Sequence, residues 1–257
     1  MTVFSKMGKV FTFGYRDAIC EIVEGRGSIA SVGTLVGKER NVLAVTDSGV
    51  PIQYAESVIA QFSNASLLII PQGEESKNFN TLEVIISALM QQGIDRYGAL
   101  IAVGGGMTGD IAGFAASCYK RGIDFYNVPT TLLAQVDASI GGKTALNFGN
   151  IKNMVGTFHH PKGVVIDTET LKTLDSRHFY SGLAEVIKMA ATSDADLFAM
   201  LESDKPLMEV LDKIVAAALH IKCDVVLKDP LEQGLRKVLN FGHTIGHAIE
   251  VVSNGKL

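Results

Sequence analysis

The sequence predicts an α/β domain with a largely parallel sheet, followed by an all-α domain. Short apolar runs alternate with segments of helical spacing over residues 41–167, and this alternation is typical of a parallel sheet with crossover helices. After about Asp175 the strand signals disappear, and every later apolar stretch has helical spacing. We therefore predict an α/β domain at residues 1–175 and a helical domain at residues 176–257.

The individual elements are predicted from apolar periodicity and from turn signals. Residues 1–37 give no clear pattern. The predicted strands are 41–45, 66–70, 99–103, 124–128 and 164–167, each a short apolar run. The predicted helices are 52–62, 81–92, 108–119, 176–191, 196–202, 207–226 and 234–252.

Composition restricts the class of protein. Hydrophobic residues make up 47% of the 257 residues and charged residues 19%, as in a globular enzyme and unlike a disordered chain. The net charge of −4 gives no reason to expect nucleic acid or an anionic membrane as a partner, and no apolar run reaches the roughly 18–20 residues of a membrane span.

Cys20, Cys118 and Cys223 form no C-x-x-C pair, which is typical of a cytoplasmic protein. We expect the chain to be incomplete at its C-terminus, because it stops in a loop-like segment after a predicted helix.

A glycine-rich turn follows the third predicted strand. Gly104, Gly106 and Gly109 satisfy G-x-G-x-x-G between a strand and a helix, where backbone N–H groups approach a pyrophosphate, so the sheet is predicted to be Rossmann-like. The alternative is a tight turn that needs glycine for its geometry alone. A standard unit has an acidic residue about 20 residues further on, which is missing here. The ribose partner could instead be Asp47 or lie within residues 73–77.

Residues 128–161 combine glycine-rich turns with polar and charged side chains. Gly141-Gly142-Lys143-Thr144 resembles the end of a P-loop, but Asp137 stands where that motif needs its first glycine, so we reject a P-loop. Lysines on such turns, together with Arg121, suit a doubly anionic small molecule. Taken one by one, they would be ordinary surface residues.

Two predicted helices carry candidate metal or proton-transfer groups. His243 and His247 are four residues apart, so on a helix they share a face and could bind a divalent metal, or divide metal binding and proton transfer between them. An amphipathic helix with two incidental histidines is the alternative. Glu185 and Lys188 lie three apart in an apolar run, where a buried charge needs a partner, and a carboxylate completing a metal site would provide one.

Together these segments resemble the 3-dehydroquinate synthase family. The resemblance runs from about Val42 to the last residue and is carried by GGGMTGDIAGF, VPTTLLAQVDASIGGKTALN, KNMVGTFHHP, GLAEVIK and LRKVLNFGHTIGHAIE. It implies an NAD-binding α/β domain and a helical domain with the active site between them. It also implies conversion of a seven-carbon phosphorylated sugar acid into 3-dehydroquinate and phosphate in the shikimate pathway, with NAD and a divalent metal, zinc or cobalt, as cofactors. Family members are often homodimers.

The resemblance also implies roles for individual residues. NAD would contact Asp47, Gln72, Gly73, Glu74, Glu75, Ser76, Lys77, Gly105, Gly106, Met107, Thr108, Gly109, Asp110, Thr130, Thr131, Lys143, Lys152, Thr170, Leu171, Lys172 and Thr173. The substrate would contact Arg121, Asp137, Asn153, Lys222, Arg236 and Asn240. The catalytic residues would be Lys143, Lys152, Lys188 and His247. The metal would be bound by Glu185, His243 and a second histidine expected after residue 257.

Three alternatives remain open at this stage. A related cyclase making a valiolone-type or inosose ring would keep the NAD and metal sites and change the groups that meet the substrate carboxylate. A metal-dependent alcohol or glycerol dehydrogenase would release NADH. An inactive relative or fragment would bind NAD without turnover, because a site with two metal ligands should hold zinc poorly.

Overall fold

A mixed sheet forms the centre of the fold in the computed structural model, which describes residues 2–5, 8–15 and 18–253. The strands are β1 (Thr2–Ser5), β2 (Gly8–Tyr15), β3 (Ala18–Glu24), β4 (Asn41–Asp47), β5 (Asn64–Ile70), β6 (Ala99–Gly104), β7 (Asp124–Pro129), β8 (Lys143–Phe148), β9 (Ile151–Phe158) and β10 (Gly163–Ile166). Eight of them form one sheet in the order β1-β2-β3-β10-β7-β6-β4-β5, and β8 pairs with β9 in a separate hairpin.

Helices cover both faces of this sheet and make up most of the C-terminal part. They are α1 (Val32–Val36), α2 (Ile52–Ile59), α3 (Phe79–Gln91), α4 (Gly106–Cys118), α5 (Ser176–Ser193), α6 (Ala195–Leu201), α7 (Leu207–Lys228) and α8 (His243–Val252). Short 3-10 helices cover Ser28–Ser31, Glu74–Ser76, Tyr119–Arg121, Thr168–Thr173 and Leu235–Asn240, and a π-helix covers Ala134–Ala138. Among the described residues, no helix combines the length and apolarity that a membrane crossing requires.

Side-chain caps fix where several helices begin. The side chain of Asn78 accepts a hydrogen bond from the Thr81 amide at the start of α3, and Asp175 does the same for the His178 amide at the start of α5. Asp194 caps α6. Each such cap pairs a backbone N–H that would otherwise have no partner within the helix.

The central strands of the parallel part of the sheet are buried on both faces. Strands β3, β10, β7, β6, β4 and β5 pair in parallel, and all six residues of β6 are buried. Strand β4 leads to β5 on one side, whereas β6 lies on its other side, so the carboxyl ends of β4 and β6 form a point where the strand order reverses. Ligands of open α/β sheets bind in the crevice at such a point. The predicted α/β layer with a largely parallel, Rossmann-like sheet is confirmed.

The hydrophobic core has three parts. One lies between the sheet and α3 and α4, and a second lies on the opposite face under α1 and α2. The third joins α5, α6 and α7 to the sheet at the neighbouring strands β3 and β10, through residues such as Ile22 and Val164. The helical C-terminal part therefore packs directly on the α/β layer. The domain boundary near residue 175 stays a prediction.

Three segments differ from the predicted elements. The N-terminal stretch, which showed no pattern, forms β1, β2 and β3, and β3 is paired with β10 more than a hundred residues away. The irregular stretch 128–161 contains the hairpin of β8 and β9, whose Gly149-Asn150 turn is a hairpin signal that the periodicity did not reveal. The predicted helix 234–252 is interrupted at Phe241 and Gly242, whose φ is 82°. Asn240 therefore lies outside the helix of His243.

Candidate active site

One cavity of about 520 Å³ opens at the carboxyl ends of β4 and β6, and we call it the glycine-lined cavity. Of the residues predicted to contact NAD, its lining contains Asp47, Gln72, Gly73, Glu74, Glu75, Gly105, Gly106, Met107, Thr130, Thr131 and Thr173. The strand order reverses at this point of the sheet, so the predicted residues meet although they come from five separate segments of the chain.

The glycines of this cavity keep it open for a ligand. An added Cβ at Gly105 would lie 3.2 Å from the Cγ2 atom of Thr131, and one at Gly49 would lie 2.2 Å from the Oε1 atom of Gln72. No side chain caps the amino end of α4 at Gly105. Backbone N–H groups of the first turn thus face a cavity at a helix amino end, which is the arrangement that binds pyrophosphate. These residues fit a dinucleotide.

Asp47 is held in place at the end of β4. Its Oδ2 atom accepts a 2.6 Å hydrogen bond from the Thr108 hydroxyl, and its Oδ1 atom accepts a 3.0 Å bond from the Gly49 amide. Thr108 itself is fully buried and holds the carboxylate from behind. Asp47 is thereby oriented at the edge of the glycine-lined cavity, where a carboxylate can accept hydrogen bonds from a ribose.

A second cavity of about 520 Å³ lies between the β8–β9 hairpin and the helical part, and we call it the charged cavity. The predicted site residues in its lining are Asp110, Asp137, Lys143, Asn153, Lys188, Lys222, Arg236, Asn240 and His243. They come from α4, the π-helix, the hairpin, α5, α7, the 3-10 helix Leu235–Asn240 and the first residue of α8. The structure therefore gathers one contiguous site from residues spread over more than half of the chain.

An ion pair between buried Lys222 and partly exposed Asp137 lies in the wall of the charged cavity. The Nζ atom of Lys222 on α7 donates a 2.7 Å hydrogen bond to the Oδ1 atom of Asp137 on the π-helix. Burial alone would raise the pKa of Asp137, but Lys222, with Lys188 and Arg236, outweighs it and lowers that pKa. For Lys222 burial acts in the opposite direction and lowers the pKa of the ammonium group. The nearby cations Arg236 and Lys143 lower it further. The cavity lining contains four cations, Lys143, Lys188, Lys222 and Arg236, and three carboxylates, Asp110, Asp137 and Glu232, so a small excess of positive charge favours binding of an anion.

Arg236 is fixed by the backbone around it. Its side chain is only 2% exposed, and its Nη1 atom donates hydrogen bonds to the carbonyls of Pro230 at 2.8 Å and Gly141 at 3.3 Å. Gly141 has a φ of 101°, and a Cβ there would lie 2.4 Å from the Nη2 atom of the guanidinium. Only glycine therefore leaves room for the guanidinium in this position.

A buried lysine connects the two cavities. The Nζ atom of Lys77 donates hydrogen bonds to the Oδ2 atom of Asp110 at 2.6 Å and to the Oδ1 atom of Asn153 at 2.5 Å, and it lies 4.0 Å from Glu74. Glu74 lines the glycine-lined cavity, whereas Asp110 and Asn153 line the charged cavity. Burial raises the pKa of Asp110 to about 6, although Lys77 opposes this. Lys77, Glu74 and Asp110 were all predicted to contact NAD and Asn153 to contact the substrate, and the contact of Lys77 with Asp110 and Asn153 is found only in the structure.

The predicted metal ligands are present only in part. Glu185 is in contact with Lys188 on the same helix, and His243 is the first residue of α8. Among residues 2–5, 8–15 and 18–253, no group of three His, Cys, Asp or Glu side chains is placed to hold a metal. A catalytic zinc site uses three protein ligands, so the described donors do not fit a complete site.

Several predicted residues lie away from the linings of both cavities. Arg121 is exposed at the end of a 3-10 helix with a φ of 70°, and Lys152 is exposed on β9, next to Asn153. Thr170 and Leu171 are buried in the packing under the helical part, and Lys172 is exposed and bonded to Glu169. Ser76, Thr108 and Gly109 stand behind the cavity walls. The side chain of His247 lies outside the described part of the chain.

One residue of the charged cavity was missed by sequence analysis. Glu232 lies in the loop after α7, and its carboxylate contacts Lys143 and accepts a 2.8 Å hydrogen bond from the Nδ2 atom of Asn240. No spacing or motif distinguishes it, because it stands in a short polar loop. Its proximity to Lys143, 89 positions earlier in the chain, is created by the fold alone.

Comparison with known proteins gives a consistent result. Two family models match adjacent parts of the chain, the N-terminal domain of 3-dehydroquinate synthase at residues 67–181 and its C-terminal domain at residues 182–257. The 3-dehydroquinate synthase of Enterococcus faecalis (strain ATCC 47077 / OG1RF) is 46% identical over 234 residues, which are 87% of this chain and 65% of that protein. The chain thus spans slightly less than two thirds of this relative's length.

Another relative and a solved structure extend the comparison. The 3-dehydroquinate synthase of Geobacter metallireducens (strain ATCC 53774 / DSM 7210 / GS-15) is 43% identical over 95% of this chain and 71% of its own length. A crystal structure of 2-deoxy-scyllo-inosose synthase with carbaglucose-6-phosphate, NAD+ and Co2+ superimposes with a TM-score of 0.86 at 28% identity, covering 96% of this chain and 70% of that one. The motifs, the fold and both domain matches agree, and the chain belongs to the 3-dehydroquinate synthase family.

Proposed function

We propose that this chain carries the activity of its family, the conversion of 3-deoxy-D-arabino-heptulosonate 7-phosphate into 3-dehydroquinate and phosphate. The observation that carries the proposal is the charged cavity, in which Lys188, Lys222 and Arg236 gather beside a cavity that fits a dinucleotide. A substrate with a phosphate and a carboxylate needs several cations in one cavity, and a guanidinium and ammonium groups suit these anions.

NAD is proposed to bind in the glycine-lined cavity. Gly105 and Gly106 would bring the amino end of α4 against the pyrophosphate, and Asp47 would accept hydrogen bonds from a ribose. The related inosose synthase structure contains NAD+. When bound, NAD supplies reversible hydride transfer, which acidifies the neighbouring C–H and allows phosphate to leave. The network of Lys77, Asp110 and Glu74 lies between the two cavities and would help to orient NAD and the substrate relative to each other.

A divalent metal is proposed as the second cofactor, since the related structure contains Co2+. Glu185 and His243 are the proposed ligands in this chain. A catalytic zinc uses three protein ligands, so these two donors would hold the metal only together with a further ligand from outside the described residues.

Different side chains of the charged cavity are proposed to have different roles in substrate binding and catalysis. Arg236, fixed by two carbonyls, would hold a carboxylate or phosphate in one orientation. The Lys222–Asp137 pair offers both a donor and an acceptor to substrate hydroxyls. Lys188 would neutralise negative charge that develops during phosphate loss. Lys152 and His247 stay proposed catalytic residues on the resemblance alone.

A second candidate is another sugar-phosphate cyclase, favoured by the TM-score of 0.86 with an inosose synthase. The ligand in that structure, carbaglucose-6-phosphate, has a phosphate but no carboxylate. The higher identity to 3-dehydroquinate synthases, 43–46% against 28%, supports the first candidate.

The test is phosphate release from the seven-carbon substrate with NAD and zinc supplied, while absorbance reports NADH. Phosphate without net NADH is the expected result. Phosphate release from glucose 6-phosphate instead would favour the inosose-type cyclase. Accumulation of NADH would indicate a dehydrogenase, and NAD binding without any phosphate release would indicate an inactive fragment.

A further inference from the structure

The side chains of the glycine-lined cavity have mostly the wrong charge for a dinucleotide, whose pyrophosphate is anionic. The acidic and basic side chains of its lining are Asp47, Glu74, Glu75, Asp175 and His178. Among the described residues that line this cavity, none is a lysine or an arginine. The carboxylates repel a pyrophosphate, and the backbone N–H groups at the amino end of α4 attract it. Within the described lining, His178 is therefore the one side chain that can become a cation.

The imidazole of His178 is oriented by Asp175, the residue before α5. The Oδ1 atom of Asp175 accepts a 3.1 Å hydrogen bond from the His178 amide, and its Oδ2 atom lies 2.5 Å from the Nδ1 atom of the ring. These two bonds lower the pKa of Asp175, which favours the ionised carboxylate. Because a carboxylate only accepts hydrogen bonds, we assign the hydrogen of this contact to Nδ1. Nε2 is then the ring atom that takes up or loses a proton.

The ring of His178 is accessible to a ligand. Its side chain is 67% exposed, although it also lines the glycine-lined cavity. Imidazole changes its charge between about pH 5 and pH 8. With a proton on Nε2 the ring is a cation that donates a charged hydrogen bond to an anion. Without that proton Nε2 only accepts, and the ring together with Asp175 has a net negative charge.

We propose that protonated His178 binds the pyrophosphate of the dinucleotide, so that NAD affinity increases as the pH falls from 8 to 6. The inference deepens the proposed function and rests on NAD binding in the glycine-lined cavity. NAD would then contact the α/β layer at Gly105 and the helical part at His178. The cofactor would thereby hold these two parts of the chain together.

Other groups at this cavity could also respond to pH. The charged side chains of the cavity and its immediate surroundings are Asp47 on β4, Glu74 and Glu75 in the 3-10 helix, Lys77 behind Glu74, and Asp175 and Arg177 next to His178. Asp110 contacts Lys77, and burial raises its pKa to about 6, within the same pH range. All these groups stay in place when His178 is replaced. The difference between the wild type and a His178 variant therefore reports the imidazole alone.

Calorimetric titration with NAD at pH 6 and pH 8 tests the proposal without any need for turnover. His178→Gln keeps a donor for Asp175 and cannot become a cation. Between pH 8 and pH 6 the wild type should gain about fivefold more NAD affinity than this variant, the upper end for an ion pair that is not fully buried. His178→Lys is a cation at both pH values and should bind NAD more tightly than the wild type at pH 8.

The matched control is His220→Gln, which removes an exposed histidine on α7 outside the linings of both cavities. It should keep the pH profile of the wild type. If His178 serves only the start of α5, its variants should melt at a lower temperature and keep parallel pH profiles for NAD, which would overturn the proposal. A His178→Lys variant that binds NAD no better than the wild type at pH 8 would overturn it as well.

Failure of the proposed function gives a different result. Absence of NAD binding by the wild type at either pH would overturn this inference together with the proposed NAD site. Binding with parallel profiles would overturn this inference alone. Loss of the proposed reaction is recognised separately, in the phosphate-release assay.

Discussion

At the scale of single residues, the site contains paired charges with little exposure to solvent. Lys222 and Asp137 are 85 positions apart, and α7 and the π-helix bring them to 2.7 Å. Removing one partner of such a pair leaves the other charge buried without compensation, which costs far more than the pair contributes. Keeping both partners of the pair is therefore important for the stability of the fold as well as for the proposed substrate binding.

Asp137→Asn is expected to destabilise the protein. Loss of the carboxylate leaves the Lys222 ammonium in a buried site, at a cost of about 3 kcal/mol, the lower end of the range for broken buried pairs because the Asp137 side chain is 26% exposed. The pKa of Asp137 is lowered in the folded state, so its stabilising effect is present above the ordinary pKa and is lost as the pH falls through the folded value. Urea unfolding at pH 7 and in acid measures both effects. A variant as stable as the wild type at pH 7 would contradict the assignment.

Asp110 should give the opposite pH dependence. Its pKa is raised from 3.8 to about 6, so the folded state holds the proton more tightly than the unfolded state. The stabilising effect is complete below about pH 4 and is lost as the pH rises towards 6 and beyond. Relative to Asp110→Asn, the wild type should lose about 1–3 kcal/mol of unfolding free energy between pH 4 and pH 7. Parallel pH profiles for the two proteins would show that Asp110 has no raised pKa.

At the scale of elements, two turns position most of the site. The turn from β6 into α4 places a helix amino end at the reversal of strand order, and the β8–β9 hairpin forms a wall of the charged cavity. Asn153 on β9 has a left-handed φ of 56°, and its side chain bonds to Lys77 and lines the charged cavity, whereas the neighbouring Lys152 is not part of that lining. Local backbone geometry thus decides which of two adjacent polar residues lines the cavity.

Gly105→Val is expected to weaken NAD binding at least tenfold. Its added side chain begins 3.2 Å from the Cγ2 atom of Thr131 and extends into the glycine-lined cavity, where it would keep a pyrophosphate from the amino end of α4. The matched control is Gly246→Val in α8, where an added Cβ meets nothing within 4 Å. NAD titration followed by calorimetry compares the two. Unchanged affinity in Gly105→Val would place NAD elsewhere.

At the scale of the whole molecule, the two cavities of about 520 Å³ share a wall that contains buried Lys77. One side of its network, Glu74, faces the proposed dinucleotide, and the other side, Asp110 and Asn153, faces the proposed substrate. A ligand that orders one side restricts the other, so binding at the two cavities should be coupled.

Lys77→Met should reduce this coupling. In the wild type, saturating NAD is expected to change the affinity for inorganic phosphate by about fivefold or more, the lower range of allosteric coupling. In the variant the ratio of the two affinities should approach one, because the shared hydrogen bonds are gone. Lys228→Met, a change at an exposed lysine bonded to Asp224, serves as the control. If NAD changes the phosphate affinity of Lys77→Met as much as that of the wild type, Lys77 does not contribute to the coupling between the two cavities.

The sequence by itself determined the α/β layer, the later helices and the segments that carry the chemistry. Continuous apolar runs such as 99–103 predict strands buried on both faces, and the glycines after them predict a ligand at a helix amino end, because both signals are local. The resemblance named nine residues that line one charged cavity in the structure, with Asp137, Lys222 and Arg236 among them.

Only the tertiary structure decided which charges meet. The contacts of Lys77 with Asn153, of Lys143 with Glu232 and of β3 with β10 join segments far apart in the chain. The break at Phe241 and Gly242 likewise separates Asn240 from the helix of His243. Periodicity reports which face of an element is apolar, whereas ion pairs and strand register depend on how several elements pack together. That packing is set by the shared core and by backbone hydrogen bonds, which no local pattern records.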